Sequence, residues 1–79
     1  MSETLTASEI AQNYSAAGDS VTLINELVAL SERSDEQVDT VRRNVEHLEI
    51  MVAKDYWTTE DLAPFNAAIT AGTAVLPTE

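Results

Sequence analysis

Residues 38–52 read VDTVRRNVEHLEIMV. Val38, Val41, Val45, Leu48 and Val52 recur at alternating steps of three and four, the a/d spacing of a coiled-coil seam. A helix with such a stripe must lay it against another helix, so these residues set both the fold class and its main question. Either the stripe is covered by the rest of this short chain, or it is covered by a second molecule.

Upstream lies SERSDEQ, residues 31–37, which breaks the apolar pattern. Ser34 followed by Gln37 fits a capping box, and Asp35 and Glu36 sit in the first turn, where negative charge suits the helix dipole. The spacing predicts a helix over 35–55, close to 30 Å long at 1.5 Å per residue. Asp39–Arg43 and Arg42–Glu46 are (i, i+4) pairs on a solvated face, each worth about 0.2–0.5 kcal/mol. Toward its end this helix changes character, because Ile50 and Trp57 lie far around the cylinder from the seam. A wider apolar surface there calls for a second covering element.

Before the break, Asp19 and Ser20 can cap a helix over 19–32. At about 100° per residue, Val21, Leu23, Ile24, Leu27, Val28 and Leu30 spread over roughly half its circumference, too wide for one neighbour. The short connection predicts an antiparallel hairpin of helices 19–32 and 35–55. Shorter helices flank it. Thr6 to Glu9 is a second capping box, opening a helix that Gly18 would stop after Ala17, with Ile10 and Tyr14 on one face. Pro64 is tolerated in a first turn, so the last helix is expected to start at Glu60 or Asp61 and carry Leu62, Phe65, Ile69, Gly72 and Leu76 inward. Ala67, Ala68, Ala71 and Gly72 permit a close approach, and Gly72 either continues this helix or ends it. The expectation is one all-α domain over 1–79, frayed at 1–5 and 77–79.

Composition narrows the function classes. A chain of 79 residues buries only about 60% of its unfolded surface, and no cysteine is present to staple it or to bind zinc as thiolate. Dimerisation, with two hairpins completing a four-helix bundle, is the expected compensation. Fourteen acidic residues against four basic ones give a net charge of −10. Arg33, Arg42, Arg43 and Lys54 are too few to neutralise a phosphate backbone, which argues against nucleic acid and against anionic membranes. The N-terminus lacks the basic and apolar regions of a signal peptide, so the expected location is cytoplasmic. On that ground the glycosylation sequon Asn13-Tyr14-Ser15 carries no weight.

No constellation for chemistry stands out. His47 is the lone histidine, Asn44 occupies the position where a Glu-x-x-His metal motif needs glutamate, and His47 reads as a surface or rim residue. Glu46, Glu49 and Asp55 lie on solvated positions with nothing to separate their pKa values. DYWTTED, residues 55–61, lacks the central glycine of a calcium loop. No catalytic residue, metal site or cofactor is assigned. Tyr56 and Trp57 either cap the core or, with Ile50 and Phe65, form a partner patch, since Trp and Tyr are enriched at binding hot spots.

VEHLEIMVAKDYW, residues 45–57, and TEDLAPFNAAITAG, residues 59–72, resemble small uncharacterised proteins of tailed bacteriophages, especially those of marine cyanobacteria. The resemblance covers the second half of the chain and implies a viral accessory or structural protein in the host cytoplasm. The expected function is thus a non-enzymatic helical interaction protein acting by self-association and partner binding. The candidate seam is Val38, Val41, Val45, Leu48 and Val52 with Leu23, Leu27 and Leu30. An acidic decoy for a basic, nucleic-acid-binding protein surface is the alternative.

Overall fold

The computed structural model of the chain describes residues 6–77. They form three α-helices, α1 (Ala7–Val28), α2 (Asp35–Val52) and α3 (Thr59–Val75), each packed against the other two in a rod of 41 × 22 × 20 Å. The all-α class holds. Apart from exposed Pro77, the ends expected to fray lie outside the described residues.

All three helices open with a capping box: Thr6 with Glu9, Ser34 with Gln37, and Thr58 with Asp61. Each side-chain pair satisfies amides that the first turn leaves without intrahelical partners. The third box corrects the expected start of the last helix. Thr58 is the cap, so Pro64 is the sixth residue of α3 rather than a first-turn residue. Pro64 is exposed, which lets water reach the carbonyl that its missing N–H would have bonded.

Two expected helices, to Ala17 and from Asp19, are one. Gly18 stays in helical conformation without positive φ, and Asp19 and Ser20 lie inside α1. A glycine inside a helix costs about 1 kcal/mol, but an α1 broken there would lose the continuous burial of Ala17, Ser20 and Ile24, so tertiary packing overrides the local stop signal. At its other end α1 stops at Val28, short of the expected 32. The Arg33 Nη1 donates to the carbonyls of Leu27, Val28 and Leu30 at 3.1, 3.3 and 2.7 Å, covering acceptors the ending helix exposes. Helix α2 stops at Val52 rather than 55. Lys54 N and the Trp57 indole N–H both donate to the Met51 carbonyl, at 3.1 and 2.7 Å.

The seam is covered within the chain. Val41, Val45 and Leu48 are buried in one core with Ala17 and Ile24 of α1 and Phe65 and Ala68 of α3, and half-buried Val52 packs against it; Val38, also half-buried, stands outside that core. Within the chain, α3 covers the middle of the seam through Phe65, Ala68 and Gly72. Gly72 does not end that helix; it is buried where all three helices meet. A Cβ added there would stand 2.6 Å from Val45 Cγ2, 3.2 Å from Ile24 Cγ2 and 3.3 Å from Val41 Cγ1. The small residue is what lets α3 approach so closely. No helix among the described residues is long and apolar enough to cross a membrane.

Candidate functional site

Ala7, Ile10, Ala11 and Tyr14 stand on one side of the first two turns of α1, because steps of three and four return to the same face. The connection after α2 brings Tyr56 and Trp57 to that end of the rod, and α3 begins there with Asp61 and Phe65. Four rings meet: Tyr14–Trp57 centroids are 6.1 Å apart, Tyr14–Phe65 5.7 Å, Trp57–Phe65 5.4 Å and Tyr56–Trp57 4.5 Å. All four pairs are tilted or edge-on, the arrangement that the ring quadrupole favours.

Polar bonds hold this cluster. The Trp57 indole is fixed to the end of α2, and the Tyr56 hydroxyl accepts from Asn13 Nδ2 at 2.9 Å. Phe65 is buried, Trp57 and Tyr56 are half-buried, and Tyr14 keeps 46% of its surface exposed. Beside the rings runs an open groove lined by Ala7, Ile10, Ala11, Tyr14, Trp57 and Asp61. Its floor is apolar, and its one charged wall is the Asp61 carboxylate, which accepts from the Thr58 amide at 3.3 Å.

The charges are unevenly placed. Every basic residue lies between positions 33 and 54, and neither α1 nor α3 contains a Lys or Arg. Arg33 is engaged with the end of α1, while Arg42 and Arg43 both pair with Asp39, at 3.4 and 2.9 Å. Arg42 thus turns to Asp39 rather than to Glu46. The acids of α1 and α3, namely Glu9, Asp19, Glu26, Glu60 and Asp61, have no cation on their own helices. Glu9 is held below the usual carboxylate range, chiefly because the Thr6 backbone N–H donates to it and further because the Thr6 side chain bonds with it.

A second polar feature lies mid-rod. Ser20 Oγ and His47 Nδ1 are 2.8 Å apart, bridging α1 and α2. A hydroxyl beside an imidazole has the composition of a nucleophile and base, but Ser20 is 5% exposed inside a helix and offers no approach to a substrate. The pair makes a part-buried hydrogen bond that ties α1 to α2. His47, expected at the surface or rim, is half-buried and bonded to Ser20. No group of three His, Asp or Glu side chains among the described residues comes together as a metal site.

Of the expected partner patch, Tyr56, Trp57 and Phe65 come together, whereas Ile50 lies apart from them, 62% exposed on the outer face of α2. Of the seam residues on α1, Leu27 packs against the core, while Leu23 and Leu30 are 36% and 41% exposed. Tyr14 joins the rings although its only sequence signal was one-turn spacing from Ile10. Ser20, Asn13 and Arg33 make contacts 27, 43 and three to six residues away in the chain, and only the cation after a helix end carried a local hint. Compared with known protein families, curated proteins and solved structures, the chain matches none.

Proposed function

We propose that this chain is a non-enzymatic helical interaction module that docks a partner on its aromatic end. The observation that carries the reading is Tyr14, a large ring left 46% exposed yet packed at a tilt on Trp57 and Phe65 at the edge of an open apolar groove. Rigid Tyr and Trp side chains lose little conformational entropy on binding and dominate the energy of many interfaces. The resemblance to phage proteins fits such an accessory role in a host cytoplasm. Tyr14→Ala tests the reading. It keeps the buried core, so the helical circular dichroism should persist while capture of partners from host extract is lost. Identical capture by the wild type and the variant would refute docking at this end.

Self-association remains a second reading, favoured by the exposure of Leu23 near the end of α1 and of Leu30 just beyond it, seven residues apart. Because Val41, Val45 and Leu48 are already buried within the chain, a dimer would use these exposed leucines instead. Asp19 and Glu26 border them, so high salt would strengthen pairing by screening like charges. Light scattering that gives a monomer mass at high protein concentration and high salt would end this reading.

A further inference from the structure

We infer that the occupant of the groove between α1 and the start of α3 is a basic, apolar-anchored segment of another protein. This rests on the docking reading above and names the chemistry of its partner. Three observations converge on it. The groove floor is Ala7, Ile10, Ala11, Tyr14 and Trp57, which suits one or two aliphatic side chains. From Ala7 to Tyr14 the floor spans about 10 Å, two turns of an incoming helix or three residues of an extended strand.

The charged wall is Asp61, Glu9 and Glu60 stand in the same first turns of α1 and α3, and neither helix carries a cation. An incoming Lys or Arg would meet the field of those acids, and the Tyr14 and Trp57 rings beside Asp61 offer a cation–π surface. A second copy of this chain is a poor occupant, because its own surface carries a net charge of −10. The same field repels nucleic acid and anionic lipid. A basic protein segment is the class that satisfies apolar floor and acidic surround together.

Trp57 is the only tryptophan and lines the groove, so its emission reports occupancy. The probes are three synthetic amphipathic peptides of equal length: one of Leu and Lys, one with Glu in place of Lys, and one with Ser in place of Leu. The Leu/Lys peptide should shift Trp57 emission saturably. It should bind at least about tenfold tighter than either counterpart, since each lacks half of the recognition. Raising salt from about 0.05 to 0.5 M shortens the Debye length from roughly 14 to 4 Å and should weaken binding several-fold. Ala11→Lys puts bulk and like charge at an exposed position in the floor and should abolish the tenfold preference. Ile50→Ser, on the outer face of α2, should leave binding unchanged.

Equal binding of the Leu/Lys and Leu/Glu peptides, both lost in Ala11→Lys, would overturn the basic class while leaving docking at the groove intact. Equal binding of the Ser/Lys peptide, or binding indifferent to Ala11→Lys, would reduce the effect to diffuse charge attraction and overturn the inference. No response of Trp57 to any of the three peptides would overturn both the inference and the docking reading.

Discussion

Gly72→Ala and Gly18→Ala are the same chemical change in helix interiors, and the structure assigns them opposite signs. At Gly18 an added Cβ meets nothing within 4 Å. Alanine there should stabilise the fold by about 0.5–1 kcal/mol, the helix-propensity gain over glycine. At Gly72 the same gain is opposed by steric conflict. The new Cβ would lie 2.6 Å from Val45 Cγ2, roughly 1 Å inside ordinary contact, with Ile24 and Val41 methyls at 3.2 and 3.3 Å. These neighbours come from both other helices, so α3 cannot retreat from α2 without also losing its fit on α1. Overpacking of this kind costs about 1–3 kcal/mol, which leaves a net loss of about 1 kcal/mol at Gly72 after the propensity gain. The difference between the twins is the informative quantity, because the backbone contributions largely cancel and the packing cost of about 1–3 kcal/mol remains. Urea unfolding followed by circular dichroism and Trp57 emission measures both. In melting temperature, each kcal/mol is about 4–8 °C for a domain this size. Val45→Ala should cost less in the Gly72→Ala background than alone, since it removes the methyl in closest conflict. If Gly72→Ala raises the melting temperature as Gly18→Ala does, the three helices do not meet as described.

Other expectations test the seam, the mid-rod bond and the acidic cap. Val45→Asp places a charge where the side chain is 4% exposed, at a cost of several kcal/mol against a total stability on the order of 4–12 kcal/mol. It should abolish helical dichroism at every protein concentration; a variant that stays folded and merely changes its mass would return the seam to an interface between molecules. A double-mutant cycle of Ser20→Ala and His47→Ala should give a coupling of about 1 kcal/mol, and a coupling near zero would deny the bond a role in stability. Glu9 has a folded pKa below its unfolded one, so its contribution is present above pH about 4.5 and fades as pH falls through the folded value. In acid titrations at the start of α1, Glu9→Gln should flatten the dependence, and an unchanged profile would assign it to other carboxylates.

The helical class and two of three caps were legible because they depend on residues three and four apart. Thr6-x-x-Glu9 and Ser34-x-x-Gln37 each carry their partner within one turn. Thr58-x-x-Asp61 has the same form, but consecutive Thr58, Thr59, Glu60 and Asp61 offer several frames, and Pro64 drew the reading to the wrong one. Gly18 and Gly72 show the limit most clearly. Both are punctuation by local rules, yet both are interior, and what separates them is whether another helix passes within contact. At Gly72 it depends on residues 27 to 48 positions away, which no local spacing encodes. The aromatic site was half legible for the same reason. Tyr56, Trp57 and Phe65 are close in sequence, but Tyr14 and Asn13 reach them only because α1 runs unbroken past Gly18.

That unbroken helix also separates folding from binding. The buried residues Ala17, Ile24, Val41, Val45, Leu48 and Ala68 lie along the middle of the rod, away from the groove. The groove floor at Ala7 and Ala11 is exposed, so the side chains that would meet a partner contribute little to the core. Only Tyr14 and Trp57 belong to both, touching the buried Phe65 on one side and the groove on the other. An occupied groove should therefore tie the start of α1 to α3 and add to the ring contacts, the Asn13–Tyr56 bond and the exposed Thr6/Glu9 capping box that already hold this end of the rod. Linkage makes that coupling reciprocal: a ligand that binds only the docked α1 raises stability by RT ln(1 + [L]/Kd), and loosening of the cap in acid weakens the same ligand. The buried middle of the seam thus leaves the groove residues free of the core, and the proposed docking would fall on the cation-free pair α1 and α3.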